Sequence, residues 1–382
     1  MMNALLITIL ALAVLYGVLM LTYFYGWKQL AIFNPQAHTT PGTTKVSVII
    51  PARDEAGNLP PLLDALTRQT YPAHLFEVIV IDDFSEDGTA DVVLNFPATN
   101  VKLLRLSDHL DKAQRLNSYK KKAIELAIEQ ATGDLIMTTD ADCVMEEKWI
   151  ETFVRCYETS RPKFIAAPVS FYKENNFFKH CQSLDFMTMQ GITGAMAYLK
   201  SGTMCNGANL AYEKNAFFEV GGFMGIDMIA SGDDMLLMYK IYHAYPDGVV
   251  YIKSKEAIVR TLPVDDFSDF MNQRIRWSSK ADKYEDKRIT RVLALVYFWN
   301  VALVVLAVAA IFNPFLWWWL LWLMAYKVVV ELLFLSPVAR FFDKQSLLPS
   351  FIPGQPFHIL YVIAAGWLGK FGSYKWKGRT VK

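Results

Sequence analysis

The alternation of apolar and polar stretches divides the chain into a hydrophobic start, a mixed middle and a hydrophobic end. From Ala4 to Tyr25 the residues are apolar without a charge, long enough to cross a hydrocarbon core, and bounded by Trp27 and Lys28. This reads as a membrane anchor, because a cleavable signal peptide would have a shorter apolar run, a basic start and a small-x-small cleavage site. After a Thr/Pro/Gly linker near His38 to Thr44, apolar runs recur at Val46–Ile50, Val78–Ile81, Val101–Leu104 and Leu135–Met137, separated by stretches of helical period. That rhythm predicts βαβ units around a parallel sheet. Leu59–Leu66 and Lys120–Ile128 are the clearest amphipathic helices, and right-handed crossovers place both against the sheet. Ile289–Phe312 and Phe315–Leu335 are again long enough to cross, with Asn313-Pro314 as a tight turn between them, so together they predict a transmembrane hairpin. Lys327 and Glu331 share one face of its second helix and are expected to pair within the bundle.

The last apolar stretch, Phe351–Leu368, is interrupted by Pro353, Gly354 and Pro356 and followed by Lys370, Lys375, Lys377, Arg379 and Lys382. A single crossing would leave this basic tail outside, against the positive-inside bias. A re-entrant or interfacial segment with a cytoplasmic tail is therefore expected. Lys28, Lys45 and Arg53 follow the first segment and no charge precedes it, which puts the middle of the chain in the cytoplasm.

The chemistry gathers where the strands end. Leu135-Ile136-Met137-Thr138-Thr139-Asp140-Ala141-Asp142-Cys143 is a buried strand that stops at two carboxylates one residue apart. In extended chain both aim to one side, into the crevice beyond the strand's carboxyl end, where hard oxygen ligands suit Mg²⁺ or Mn²⁺. The first and second strands end in Pro51-Ala52-Arg53-Asp54-Glu55 and Asp82-Asp83-Phe84-Ser85. Taken singly each cluster could be a turn, but three along one edge form a ligand crevice, with Gly88 and Thr89 opening the next helix. Asp234 follows Gly232 and begins a periodic run, so it sits in the first turn of a helix whose dipole keeps a carboxylate ionised. Gln273, Arg276 and Trp277 stand at i, i+3 and i+4 and share a helix face, offering a donor fork and a flat apolar ring. Alternatively that helix is interfacial, with Trp277 at the headgroups and Arg274 and Arg276 on lipid phosphates. Lys120, Lys121 and Lys122 follow a polar loop and either contact a bound diphosphate from a helix start or, the preferred reading, form a solvated face; Gly207-Ala208-Asn209-Leu210 is either an acceptor-side strand and loop or a plain turn.

Composition narrows the partners. A formal net charge of +1 with no basic block in the soluble part argues against nucleic acid. The four cysteines, Cys143, Cys156, Cys181 and Cys205, lack metal or redox spacing and suit a reducing compartment, and the six scattered histidines carry no assigned role.

In order, Pro51 to Glu55, Val80 to Thr89, Asp140 to Asp142, Ser231 to Asp234 and Gln273-Arg274-Ile275-Arg276-Trp277 resemble membrane-bound family 2 glycosyltransferases, which include cellulose, hyaluronan and poly-N-acetylglucosamine synthases and ceramide glucosyltransferases. The resemblance spans about Val46 to Trp277. It implies a GT-A fold, an α/β domain with a mostly parallel Rossmann-like sheet, flanked by N- and C-terminal transmembrane helices. It also implies a nucleotide-diphosphate sugar donor, a divalent metal, Mg²⁺ or Mn²⁺, and inversion at the anomeric carbon. By resemblance Arg53 and Glu55 lie near the nucleotide, Asp83 with Asp82 on the uracil or ribose, and Asp142 with Asp140 on the metal and donor diphosphate. Asp234 is then the general base, Gln273 and Arg276 cradle the diphosphate, and Trp277 belongs to the acceptor site. Many members have Glu-Asp where this chain has Asp233-Asp234, which leaves the role of Asp233 open.

The expected organisation is an anchor at 1–28, a GT-A domain at 45–265, an interfacial helix at 266–285 and a transmembrane region at 289–370. The expected protein is a multi-pass membrane enzyme, its catalytic domain cytoplasmic as in a bacterial inner membrane, moving a sugar from a UDP-sugar to a lipid or growing glycan. A processive polysaccharide synthase and a noncatalytic assembly subunit are the alternatives, a nucleotidyltransferase a further one, and partner subunits of an export complex fit either mode. Two or three carboxyl-terminal helices are few for a polymer channel, which favours single addition to a lipid.

Overall fold

The computed structural model describes residues 2–37, 42–110, 118–201, 204–227, 229, 232–279, 286–372, 374–376 and 379–381. Part of the expected linker (38–41), Ser231 and the end of the expected interfacial segment (280–285) lie outside them. In chain order the elements begin with helix α1 (Met2–Gln29), strand β1 (Val46–Ala52), α2 (Leu59–Thr67), β2 (Phe76–Asp82), α3 (Thr89–Leu94), β3 (Val101–Arg105), α4 (Tyr119–Gln130) and β4 (Leu135–Thr138). They continue with β5 (Val144–Met145), α5 (Trp149–Ser160), β6 (Phe164–Ala166), β7 (Val169–Phe171), α6 (Phe177–Tyr198), β8 (Leu210–Glu213), α7 (Lys214–Glu219), α8 (Asp233–Ala244), β9 (Val249–Tyr251) and β10 (Val259–Thr261). Helices α9 (Phe267–Ser278), α10 (Lys287–Phe312), α11 (Leu316–Phe341) and α12 (Phe351–Phe371) follow, and a short hairpin closes the chain.

Two compact units result. One comprises Ala31–Tyr172 and Met204–Leu262, the other Met1–Leu30, Lys173–Thr203 and Pro263–Lys382. In the first, a seven-stranded sheet has the order β3-β2-β1-β4-β8-β6-β9. Neighbours from β3 to β4 are parallel, the order of half a doubly wound fold. Only β8 runs against the rest, pairing antiparallel with both β4 and β6. Strand β2 is buried at every position and β1 at all but Pro51, so both read as continuous apolar runs rather than alternating ones. A second sheet, β5-β10-β7, holds the segment after Asp142 against Val259 to Thr261.

At the amino edge of the large sheet, Glu77 is buried yet fully paired. It accepts hydrogen bonds from the Ser47 hydroxyl at 2.7 Å, the Thr132 N–H at 2.6 Å and the Lys102 ammonium at 2.7 Å. Burial alone would raise its pKa, but these donors hold it at about 2.

The second unit is helical. On α1, Ile9, Ala13, Tyr16, Met20, Tyr23 and Trp27 form a buried stripe at alternating spacings of four and three, while Ile7, Val14, Val18, Leu21 and Tyr25 are exposed. The stripe packs on α6, α10 and α11. Lys327 and Glu331 pair as expected, at 2.6 Å, and the pair is closed by Gln355, which accepts from Lys327 at 2.7 Å and donates to Glu331 at 2.9 Å, and by the Tyr16 hydroxyl. Among the described residues four helices are long and apolar enough to cross a membrane: Leu5–Gln29, Lys287–Phe312, Leu316–Phe341 and Gln345–Phe371. The last corrects the expected interruption: Phe351 to Phe371 form one helix. Pro353 falls in its first turn, where no helical N–H bond is lost, and Pro356 forfeits one bond.

Candidate active site

Two loops leave the carboxyl edge of the large sheet laced together. Arg53 Nη1 donates to the Asp83 carbonyl at 2.9 Å, the Asp54 N–H to Ser85 Oγ at 3.0 Å, and the Glu86 N–H to Asp54 Oδ1 at 2.8 Å. The Glu55 N–H donates to Thr89 Oγ1 at 2.8 Å, tying the first loop to the start of α3. Asp82 and Asp83 are both buried, and Asp82 Oδ1 accepts the Ser85 N–H at 3.2 Å. Asp54 and Phe84 adopt φ of +52° and +53°, the left-handed region. An aspartate tolerates it, but a phenylalanine is strained there, and such strain persists where the surrounding structure over-determines a loop. The Phe84 ring packs edge-on to Tyr119 at 6.0 Å.

The third loop carries Asp140 and Asp142. Asp142 takes a hydrogen bond on Oδ2 from the Thr261 hydroxyl at 3.0 Å. Its pKa is raised by burial first, then by the charges of Asp140 and Glu55. Asp140 accepts from the Lys120 ammonium at 2.8 Å, and the same ammonium lies 3.7 Å from Asp233 Oδ2. Burial alone would lower the pKa of Lys120, yet Asp140 and Asp233 outweigh it and hold the ammonium well above its usual range.

Helix α8 starts from Gly232, whose φ of +80° a glycine adopts without strain. Asp234, in the first turn, accepts the Gly207 N–H on Oδ2 at 3.0 Å and the Met235 N–H on Oδ1 at 2.8 Å. The Gly207 carbonyl in turn accepts the Thr138 hydroxyl at 3.0 Å, so Asp234 is tied through one residue to the end of β4. Asn209 fixes that segment: fully buried, it accepts the Trp149 indole N–H at 2.9 Å and donates to the Pro168 and Ala257 carbonyls at 2.7 Å each.

Arg53, Glu55, Asp82, Asp83, Asp140, Asp142 and Asp234 therefore all belong to the α/β unit and sit on loops at the carboxyl edge or on the helix tied to it. Gln273, Arg276 and Trp277 belong to α9 in the helical unit, where all three are half-buried while the intervening Arg274 and Ile275 are buried. Arg274 pairs with Asp185 at 2.8 Å, so it does not reach lipid phosphates as an interfacial arginine would.

Reading the lysine run as solvated needs correction. Lys122 fits it, but Lys120 faces the carboxylates, and Lys121 is buried and donates to the Ile226 and Ile229 carbonyls at 2.6 Å each. Ser118 caps α4, and this sets the three lysines on three sides of its first turn. The signal was the capping serine ahead of a Lys-rich first turn. Nothing in the sequence marks Thr261, and the Gly207 stretch stands out there without its link to Asp234.

The donor set fits a hard divalent cation. A half-buried carboxylate with two others near it, as Asp142 has in Asp140 and Glu55, is stabilised in its charged form by a cation between them. Among the described residues no three His, Cys, Asp or Glu side chains converge as a complete cage. Mg²⁺ sites commonly use one or two carboxylates and complete their shell with substrate phosphates and water, which suits the pair Asp140 and Asp142.

Comparison with known proteins identifies the family and the fold. The Glycosyl transferase family 2 profile matches residues 47–221, and that of Glycosyl transferase family group 2 matches residues 135–333, more than half of the chain. Glycosyltransferase AglE of Haloferax volcanii is 32% identical over 130 residues, 34% of this chain and 41% of the relative. Poly-beta-1,6-N-acetyl-D-glucosamine synthase of Staphylococcus epidermidis is 22% identical over 241 residues, 61% of this chain and 53% of the relative. The chain thus spans about half the length of the curated relatives it matches. A mannosyltransferase from Pyrobaculum calidifontis, solved with GDP-Man and Mn²⁺, shares the fold at a TM-score of 0.58 and 18% identity, covering 93% of this chain and 98% of its own. The profile over more than half its length and the GT-A-like sheet with its acidic carboxyl edge make this chain a member of the family 2 glycosyltransferases.

Proposed function

We propose that this chain is an integral-membrane, metal-dependent, inverting glycosyltransferase that moves a sugar from a UDP-sugar to a membrane lipid. The observation that carries the reading is the carboxyl edge, where Asp142 faces the charges of Asp140 and Glu55 while Lys120 pairs with Asp140 and lies near Asp233 and Asp234. Such an edge calls for a further cation and a phosphate-bearing ligand. Asp140 and Asp142 would hold Mg²⁺ or Mn²⁺, which when bound supplies charge stabilisation to the departing diphosphate.

The protein's own residues have separate tasks. Asp83, with Asp82 beside it, takes the uracil or ribose, and Arg53 and Glu55 border the nucleotide. Asp234 accepts the proton of the acceptor hydroxyl as its oxygen attacks the anomeric carbon and the bond to the diphosphate oxygen breaks, so the nucleoside diphosphate leaves with its electron pair. Two N–H donors hold the Asp234 carboxylate, which orients it as a base. Lys120 adds positive charge on the leaving-group side. Gln273 and Arg276 take the diphosphate, and Trp277 the acceptor.

The catalytic domain, 45–265, would face the cytoplasm of a bacterial inner membrane, with 1–28 and 289–370 in the bilayer and 266–285 at its surface. The test is nucleoside diphosphate release in purified membranes from radiolabelled UDP-glucose, UDP-N-acetylglucosamine and GDP-mannose, following the label. One extractable lipid product is the expected result. A high-mass polymer would replace it with a synthase, and no turnover of any donor would leave a noncatalytic subunit.

A further inference from the structure

Within the helical unit, the ring of Trp277 is already engaged. The Arg274 guanidinium lies 4.3 Å from its centroid, and the Phe186 ring from α6 stacks on it at 6.0 Å with 30° between planes. Arg274 is only 5% exposed, and a buried guanidinium must be neutralised. Its counter-ion is Asp185 on α6, at 2.8 Å, while its other amino group donates to Gln273 Oε1 at 2.8 Å. Asp185 also accepts the Tyr361 hydroxyl from α12, and His358 Nε2 lies 3.9 Å away. One carboxylate thus joins α6, α9 and α12, and the planar cation it fixes forms a wall of the Trp277 ring. The two residues adjacent in sequence, Asp185 and Phe186, reach the same tryptophan by different routes, one through Arg274 and one directly.

We propose that Asp185 is a positioning residue for the acceptor: through Arg274 it fixes the orientation of Trp277, and thereby decides whether the sugar passes to the acceptor or to water. This rests on the transferase reading above and deepens it at the acceptor end. Without the carboxylate, Arg274 keeps Gln273 and the faces of the Phe270 and Trp277 rings but loses its counter-ion, so its place over the indole is no longer fixed. An acceptor hydroxyl misplaced by about 1 Å can cost on the order of 10²-fold in transfer. Donor binding and slow hydrolysis of the donor by water do not need that orientation.

The test compares, in purified membranes supplied with native lipid extract, label transferred from the UDP-sugar donor with nucleoside diphosphate released to water. Asp185→Asn is expected to lower the ratio of transfer to hydrolysis about tenfold or more while hydrolysis continues. Arg274→Lys keeps the charge but loses the planar fork, and is expected to shift the ratio the same way. Because Asp185→Asn strands a buried cation, the double variant Asp185→Asn with Arg274→Met is also measured. It is expected to recover the melting temperature but not the transfer ratio. A ratio unchanged in Asp185→Asn, or restored in the double variant, would overturn the proposal and leave Asp185 as a charge neutraliser. A wild type that releases no nucleoside diphosphate would instead remove the transferase reading, and this inference with it.

Discussion

The two edges of the large sheet carry carboxylates to opposite ends. At the amino edge, Glu77 is one acid with donors from Ser47, Thr132 and Lys102, held at a pKa of about 2. At the carboxyl edge, Asp140, Asp142, Asp233 and Asp234 cluster with, among the described residues, Lys120 beside them, and Asp142 is pushed up instead of down. Glu77 is the more deeply buried, the four aspartates being half-buried, and it is Glu77 whose carboxylate is met by three donor groups. A satisfied buried acid contributes stability, whereas an under-neutralised group of acids costs stability and is retained where a ligand completes it. On the proposed function, the same sheet has a structural edge and a reactive one.

Several changes would break or sharpen that contrast. The largest effect belongs to Asp234→Asn, which can keep one of the two N–H bonds, to Gly207 or to Met235, but cannot take a proton; donor turnover in membranes is expected to fall about 10²- to 10⁴-fold, with only a small loss in melting temperature. Lys120→Met removes the cation that Asp140 and Asp233 share, and turnover is expected to fall roughly 10²-fold, read as kcat at saturating donor. Glu77→Ala strands the Ser47 and Thr132 donors and is expected to cost about 2–3 kcal/mol, seen as a lower denaturation midpoint, with turnover per folded molecule unchanged. The sign with pH follows from the lowered pKa. The contribution of Glu77 is fully present above its ordinary value of 4.5 and is lost as pH falls toward about 2, so Glu77→Gln should flatten the acid side of the stability profile. Lys102→Met should be smallest, about 0.5 kcal/mol, because that lysine side chain is 55% exposed and its ion pair is screened.

The sequence made the reactive edge more legible than the structural one. An apolar run that stops at Asp140-Ala141-Asp142 announces both a buried strand and its chemistry, because strand burial and ligand placement depend on the same local order. Strands β1, β2 and β3 were visible for the same reason. Glu77 was not, because its partners come from three separate places in the chain and only the parallel register of β1 and β2, with Ser47 opposite Glu77, brings them together. The antiparallel insertion of β8 was equally hidden, since the four residues Leu210 to Glu213 acquire their place by pairing with β4 and β6. Lys120 was misread because a lysine run looks alike whether it faces water or carboxylates, and only the cap at Ser118 sets its rotation. On the membrane side, the pairing of Lys327 with Glu331 followed from helical spacing. The side-by-side packing of α9 and α12 did not: Phe270 meets Phe357 and Tyr361, and Ser278 donates to the Ala365 carbonyl, contacts between segments far apart in sequence.

The most direct measurement sets Asp142→Asn beside Glu77→Ala and records melting temperature and donor turnover for both. If the edges divide the work as described, Asp142→Asn holds or raises the melting temperature, since it relieves repulsion from Asp140 and Glu55, and it abolishes metal-dependent turnover. Glu77→Ala does the reverse, lowering the melting temperature and leaving turnover of the folded protein intact. A strongly destabilised Asp142→Asn with normal residual turnover, or a folded but inactive Glu77→Ala, would contradict the division.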